Sequence, residues 1–177
     1  MLIGIIADTH DNAINLLKAI KAFNQRGVGL VIHCGDWVSP FMADFCCELK
    51  AKIISVWGNN EGDAYRFLTR QQKKKWNIDF QNAAAELEIE GRKLIAYHGD
   101  SKPLLNALID SQKYDAVFSG HTHASLIETK GKTLHVNPGS TSGLCESAIV
   151  GEITVAVYDT EFNKAEIIVL NVGEGSS

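Results

Sequence analysis

Apolar residues in this chain gather in short unbroken runs, and each run ends on polar residues. Leu2 to Ala7 is one, ended by Asp8. Val28 to His33 is the next, followed by Gly35-Asp36. Ala51 to Trp57 is a third, rich in β-branched residues and ended by Gly58-Asn59-Asn60. Runs of this length without alternation predict strands buried on both faces, as in a parallel sheet. Between them, Ile14, Leu16, Leu17, Ile20 and Phe23 recur at helical spacing over Asn12 to Phe23, with Gly27 as a stop. Pro40 opens a second helix running to about Leu49, and Asp63 to Trp76 predicts a third that carries the exposed run Lys73-Lys74-Lys75. Strand alternating with helix implies parallel pairing through crossover helices. In such sheets ligands bind beyond the carboxyl ends of the strands, where the polar clusters fall.

The second half is patterned differently. Ala85 to Glu90 and Lys93 to Tyr97 alternate around Gly91-Arg92 and predict a hairpin. A short helix follows over Pro103 to Asp110, then a buried strand over Asp115 to Phe118 that ends in Ser119-Gly120-His121-Thr122-His123. Ala124 to Glu128 and Thr133 to Val136 flank the turn Thr129-Lys130-Gly131-Lys132, and Val155 to Asp159 pairs with Glu166 to Leu170. So many strands require a second sheet packed on the first, an α/β architecture. With no linker or repeat, residues 1–170 are expected to form one domain and 171–177 a flexible tail.

Composition narrows the function classes. A chain of 177 residues, 45% hydrophobic, can bury a sizeable core without a disulfide scaffold. Cys34, Cys46, Cys47 and Cys145 form no CxxC pair, so they are expected as buried or half-buried free thiols. A formal net charge of -4 argues against stable nucleic-acid binding, although a nucleotide remains open as a small substrate. The N-terminal run lacks a basic flank, and no stretch reaches the length of a membrane span. A cytoplasmic protein with no membrane partner is therefore expected.

The polar clusters carry the chemistry. Five of the six histidines, His10, His33, His98, His121 and His123, lie at strand ends. Asp8 and His10, two apart, would share one side of an extended backbone, as would His121 and His123. Asp36 would cap a helix or, with its two oxygens, bridge two cations. Asn59 offers a neutral oxygen, or simply forms a turn. Imidazole and carboxylate together suit manganese, zinc, iron or nickel. Asp11, Asp100 and the loop Asn137-Pro138-Gly139-Ser140 are candidates to orient the ligating histidines. His33 and His135 sit in apolar runs and are expected to be structural.

The ordered set Asp8-Thr9-His10, Gly35-Asp36, Gly58-Asn59, His98-Gly99 and Gly120-His121-Thr122-His123 resembles the calcineurin-like metallophosphoesterases, in particular the small YfcE-like phosphodiesterase group. The resemblance spans roughly residues 1–170. It implies a four-layer α/β/β/α sandwich with two mixed β-sheets and a centre of two divalent metal ions, manganese first, with nickel, zinc or iron as alternatives. By the family pattern one ion would be held by Asp8, His10, Asp36 and His123, and the other by Asp36, Asn59, His98 and His121. Asp36 would bridge, and a water or hydroxide shared by the ions would be the nucleophile. Asp36, Asn59, Asn60 and His98 would be the catalytic residues. The pattern departs at Asn60, where many relatives carry a histidine. An amide cannot serve as a general acid, so Asn60 is expected at most to hydrogen-bond a phosphoryl oxygen.

The function implied is metal-dependent hydrolysis of small phosphodiesters. The alternatives are a phosphomonoesterase, or a protein-binding scaffold like the retromer subunit that resembles this family. A homo-oligomer is compatible with the resemblance.

Overall fold

The computed structural model describes residues 1–144 and 151–170. The first half runs β1 (Leu2–Ile6), α1 (Ala13–Arg26), β2 (Leu30–His33), a 3₁₀ segment (Met42–Glu48), β3 (Lys52–Ser55), α2 (Ala64–Lys74) and β4 (Ile78–Phe80). The second half runs β5 (Ala84–Ile89), β6 (Arg92–Tyr97), α3 (Lys102–Asp110), β7 (Ala116–Phe118), β8 (Ser125–Lys130), β9 (Thr133–Pro138), β10 (Thr154–Asp159) and β11 (Lys164–Val169).

The strands form two mixed sheets, ordered β11-β10-β1-β2-β3-β4 and β5-β6-β7-β9-β8. In the first, β1 to β4 pair in parallel and β10 joins β1 antiparallel. In the second, β6, β7 and β9 are parallel, with antiparallel β5 and β8 at the edges. Strand alternation sorts the side chains into three apolar layers. Ile6, Val31, Ile53, Val155 and Val157 face α1, the 3₁₀ segment and α2. Ile3, Ile5, Ile32, Ala156 and Tyr158 meet Leu94, Ala96, Ala116, Phe118 and Val136 between the sheets. Ile95 and Val117 turn outward to Leu105, Leu108 and Ile109 of α3. Three cores between four layers give the expected sandwich. Strands β1, β2 and β10 are buried on both faces, which is why their sequences do not alternate.

Helix ends follow local chemistry. The Asn12 side chain accepts from the Asn15 N–H to cap α1, and Gly27 closes it in the left-handed conformation. Gly4 makes room for α1, because a Cβ there would lie 2.8 Å from the Phe23 ring.

Three sequence expectations change. The segment after Pro40 is a 3₁₀ turn stack over Met42–Glu48 rather than an α-helix. Strand β4, three residues long, had no periodic signature to announce it. Cys34 and Cys46 are buried free thiols but Cys47 is exposed, while Cys145 and the expected tail 171–177 lie outside the described residues.

Candidate metal centre

The loops that follow β1, β2, β3, β6, β7 and β9 meet at one edge of the sandwich. Beyond the first sheet the backbones run on together: Asp8 N donates to Gly35 O, Thr9 and His10 N to Asp36 O, and Asp11 N to Trp37 O. Gly120 N donates to His98 O beyond the second sheet. The two sheets are tied by the Ser140 hydroxyl and Ser142 N–H, both donating to Asp8 O.

These loops bring all the expected ligands together. Asp8, His10 and His123 form one group able to hold a metal ion, and Asp8, Asp36 and His98 form another. Asp36 also reaches both ways: Oδ2 lies 3.4 Å from His10 Nε2, and Oδ1 lies 3.4 Å from His98 Nε2. Asn59 Oδ1 stands 2.8 Å from His98 Nε2 and 3.0 Å from His121 Nδ1.

The tautomers say what belongs between them. His98 Nδ1 lies 2.7 Å from the Cys34 carbonyl, which can only accept, so Nδ1 carries the proton. In the neutral ring Nε2 then presents a lone pair to Asn59 Oδ1 and Asp36 Oδ1, both acceptors. His123 repeats this: Nδ1 donates to Leu144 O at 2.9 Å, and Nε2 faces His10 Nε2 at 3.1 Å and Asp8 Oδ1 at 3.4 Å. Asp8 Oδ1 is buried and has no hydrogen-bond partner. Acceptors thus crowd around His98 Nε2 and the unpartnered Asp8 Oδ1, which is costly unless a cation lies among them, while His10 and His123 have at most a shared proton between their Nε2 atoms. The donor set, imidazole nitrogen with carboxylate oxygen, fits borderline divalent metals.

Burial alone would raise the pKa of the Asp8 carboxyl, but its contacts with His10 and His123 override it and hold Asp8 at about 2. Its contact with Asp8 raises His123 against the effect of burial. Asp8 therefore stays a carboxylate throughout the neutral range.

Local backbone differs from the extended geometry expected for the paired ligands. Asp8, His10, Asp36, His121 and His123 all have positive φ, between 41° and 70°. Left-handed turns, not strand alternation, aim these side chains. The loops also approach more closely than a side chain permits. A Cβ on Gly58 would lie 2.1 Å from Asp36 Oδ1, and one on Gly35 2.6 Å from Gly58 N.

Several supporting roles depart from expectation. Two of the candidate ligands, His98 and His123, are oriented by the main-chain carbonyls of Cys34 and Leu144 rather than by Asp11 or Asp100. Asp11 Oδ1 accepts from Ser39 N, and Asp100 is drawn to Tyr97. Asn137 donates to Gly120 O and Thr122 Oγ1, shaping the loop that carries His121 and His123. Asn60 points at Asp36 instead of outward: its N–H and its side-chain amide donate to Oδ1 and Oδ2, each at 2.8 Å. His33 is a buried prop. Gly35 N donates to its Nδ1, so Nε2–H donates to Thr9 Oγ1, and Trp37 stacks on the ring at 3.8 Å. Sequence reasoning missed Glu61, whose carboxylate collects backbone N–H groups from the loops after β2 and β3.

A four-layer sandwich of two mixed sheets, with aspartate and histidine ligands converging at one strand edge, defines the metallophosphoesterase class. The chain belongs to the calcineurin-like phosphoesterase superfamily, whose domain model matches residues 1–163. It is similar to the phosphodiesterase MJ0936 of Methanocaldococcus jannaschii, at 38% identity over 175 residues, 96% of this chain and 99% of that protein. The phosphodiesterase YfcE of Escherichia coli strain K12 is 24% identical over 162 residues, 80% of each chain. Among solved structures, one described as a novel archaeal phosphodiesterase superposes with a TM-score of 0.87 at 35% identity, covering 96% of this chain and all of that one, 100%.

Proposed function

We propose that this chain is a metal-dependent phosphodiesterase acting on small phosphodiesters. The observation that carries the reading is the crowding of acceptors around Asp8 Oδ1 and around His98 Nε2, in two groups of convergent donors that two cations would satisfy. Asp8, His10, Asp36 and His123 would hold one ion, and Asp36, Asn59, His98 and His121 the other. Divalent ions bound there activate a water for attack on phosphorus and offset charge on the phosphoryl oxygens.

The rest falls to the protein. Asp36 divides its oxygens between the two groups, and the Asn60 amide holds that carboxylate in place. The Cys34 and Leu144 carbonyls fix the ring orientations of His98 and His123, so Nε2 of each faces the centre. No general acid stands at position 60, so a leaving group gains no proton from that side chain.

The diester is favoured over the monoester by charge. Among the described residues, no lysine or arginine pairs with Asp8 or Asp36; their ion-pair partners are histidines. A dianionic monoester would call for such a cation more than a monoanionic diester does. The naming of two relatives as phosphodiesterases supports the same choice.

The test is hydrolysis of bis(p-nitrophenyl) phosphate beside p-nitrophenyl phosphate, using metal-stripped protein reloaded with manganese. The diester should turn over faster, and only with metal. Preference for the monoester would make the protein a phosphomonoesterase. No turnover of either ester, with occupancy by manganese, nickel or zinc verified, would overturn the enzymatic reading.

A further inference from the structure

We infer that Glu61 is a positioning residue that sets the shape of the centre from beneath, holding Asp36 and Asn59 at their working separation without ligating an ion. The inference rests on the phosphodiesterase reading of the same site.

The loop after β2 adopts a backbone that its residues resist. Asp36 has φ 64° and Val38 φ 73°. A β-branched residue at positive φ is a true outlier, disfavoured by the clash of its Cβ with the backbone. Something must compensate. Successive N–H groups that bend toward one point make a small anion-binding concavity, and here the guest is a side chain of the same protein. Glu61 Oε1 accepts from Asp36 N at 2.8 Å, and Oε2 accepts from Trp37 N at 3.1 Å and Val38 N at 3.3 Å.

The same carboxylate also holds the neighbouring loop, since Oε1 accepts from Gly58 N at 3.1 Å. Gly58 immediately precedes Asn59, and Asn60 N donates to Asp36 Oδ1. Gly62 N donates to Val38 O on the far side of Glu61. Two loops that present ligands from different strands are therefore locked through one carboxylate. Both glutamate oxygens are committed to amides, and Glu61 is absent from either group of convergent metal donors. Its bonds to N–H groups are charge-assisted, and such bonds are about twice as strong as neutral ones. Burial pushes the Glu61 carboxyl up, and the amides of Gly58, Asp36 and Trp37 oppose that rise.

A ligand-positioning role separates from a merely structural one through the metal. The full-length wild type, Glu61→Gln and Glu61→Ala are compared by three measurements. These are amide hydrogen exchange in the metal-free protein, calorimetric titration with manganese, and hydrolysis of bis(p-nitrophenyl) phosphate across manganese concentrations. Glutamine still accepts on one side, but its NH2 group confronts two of the four amides. Glu61→Gln should speed exchange at Trp37 and Val38, or at Asp36 and Gly58, at least tenfold. It should weaken manganese binding by a similar factor, with turnover recovering at saturating manganese. Glu61→Ala should lose more affinity than Glu61→Gln and recover less.

Wild-type exchange and wild-type manganese affinity in folded Glu61→Gln would overturn the inference, and so would a lowered melting temperature with affinity unchanged. If Glu61→Ala does not fold, Glu61→Gln alone decides. If the wild type binds neither manganese, nickel nor zinc and cleaves no ester, the phosphodiesterase reading fails. Exchange at the four amides then still decides whether Glu61 holds the two loops.

Discussion

The two ends of the sandwich use glycine for different reasons. At the end away from the ligands, Gly27 closes α1 and Gly91 turns β5 into β6, with φ of 67° and 77°. A Cβ added to either meets nothing within 4 Å. Their requirement is conformational, and a left-handed backbone is all they supply. At the ligand end, Gly35, Gly58 and Gly120 are needed for proximity: a Cβ would lie 2.6 Å, 2.1 Å and 2.7 Å from its nearest neighbour. There positive φ is shared between glycines, Gly35, Gly99 and Gly139 among them, and seven residues that are not glycine: Asp8, His10, Asp11, Asp36, Val38, His121 and His123. The far end has non-glycine positive φ as well, at Lys75, Glu90, Gln112 and Asn163, but these are isolated turn residues, and crowded Gly131 meets only the flexible Gln112 side chain. The ligand end gathers its strained residues in the adjoining loops that carry the candidate ligands, as functional sites commonly do.

The sharpest way to break that contrast is to add a methyl group at each end. Gly58→Ala should push Asp36 out of place, because the group it meets is the Asp36 carboxylate and backbone N–H rather than a side-chain tip. Diester hydrolysis at fixed manganese should fall by about two orders of magnitude or more, the scale of an ångström-level misplacement in an active site. Near-normal turnover would mean that the loops separate freely and that proximity is not what Gly58 provides.

A second expected effect concerns the leaving group. Asn60 donates to Asp36 and has no proton to give a departing alkoxide. Across a series of aryl and alkyl phosphodiesters, kcat/KM should drop steeply as the leaving-group pKa rises. Asn60→His should flatten that slope if it supplies the missing acid. A flat slope in the wild type would show that another group protonates the leaving oxygen.

Much of this end was legible before any coordinates. The candidate ligands Asp8, His10, Asp36, Asn59, His98, His121 and His123 are chemically distinctive residues interrupting apolar runs, so their positions mark both the strand ends and the edge where they converge. The alternation of Leu94, Ile95 and Ala96 likewise separates the inner face of β6 from the face toward α3. Glu61 was not legible. Its partners are backbone amides, which every residue carries, so no residue type elsewhere points to it. A glutamate directly after Gly58-Asn59-Asn60 is the one hint, in a loop with little else to bury. Left-handed φ at Asp8 and His10 was hidden too, because spacing by two reads the same in a strand and in a turn. Strand β4 failed for lack of length, since three residues give no period.

The ligand end also carries a pH signature. Burial depresses His33 to about 3 from an ordinary value near 6.5, so the folded state holds it neutral. Between those values the unfolded chain binds the extra proton, and stability must fall as pH falls. The slope contributed by this one group reaches about 1.4 kcal/mol per pH unit. His123, raised by Asp8, acts in the opposite sense, stabilising the fold as it takes up its proton. Asp8 adds loss only below its unfolded value near 3.8. Urea unfolding of the metal-free wild type and of His33→Gln, at pH 7, 6 and 5, isolates the His33 contribution. The variant should be less stable at pH 7 and lose less stability on acidification. Parallel pH dependences would mean that His33 is not held neutral.

The smallest effect belongs to the far end. Gly27→Ala places a Cβ on a backbone with φ of 67° and leaves it in open space. Only the left-handed penalty remains, roughly 1–2 kcal/mol. The N–H that closes the helix on Asn24 O is retained, so α1 should keep its length. The melting temperature should drop by a few degrees, while manganese affinity and diester turnover stay at wild-type values. The comparison is sharpest when Gly27→Ala and Gly58→Ala are measured together, since each adds one methyl group to a loop glycine. Stability lost without function at one end, and function lost out of proportion to stability at the other, would show that the two kinds of glycine answer to different physics. If Gly27→Ala also impaired manganese binding, strain at the far end would be reaching the ligands through α1, and the two ends could no longer be treated as independent.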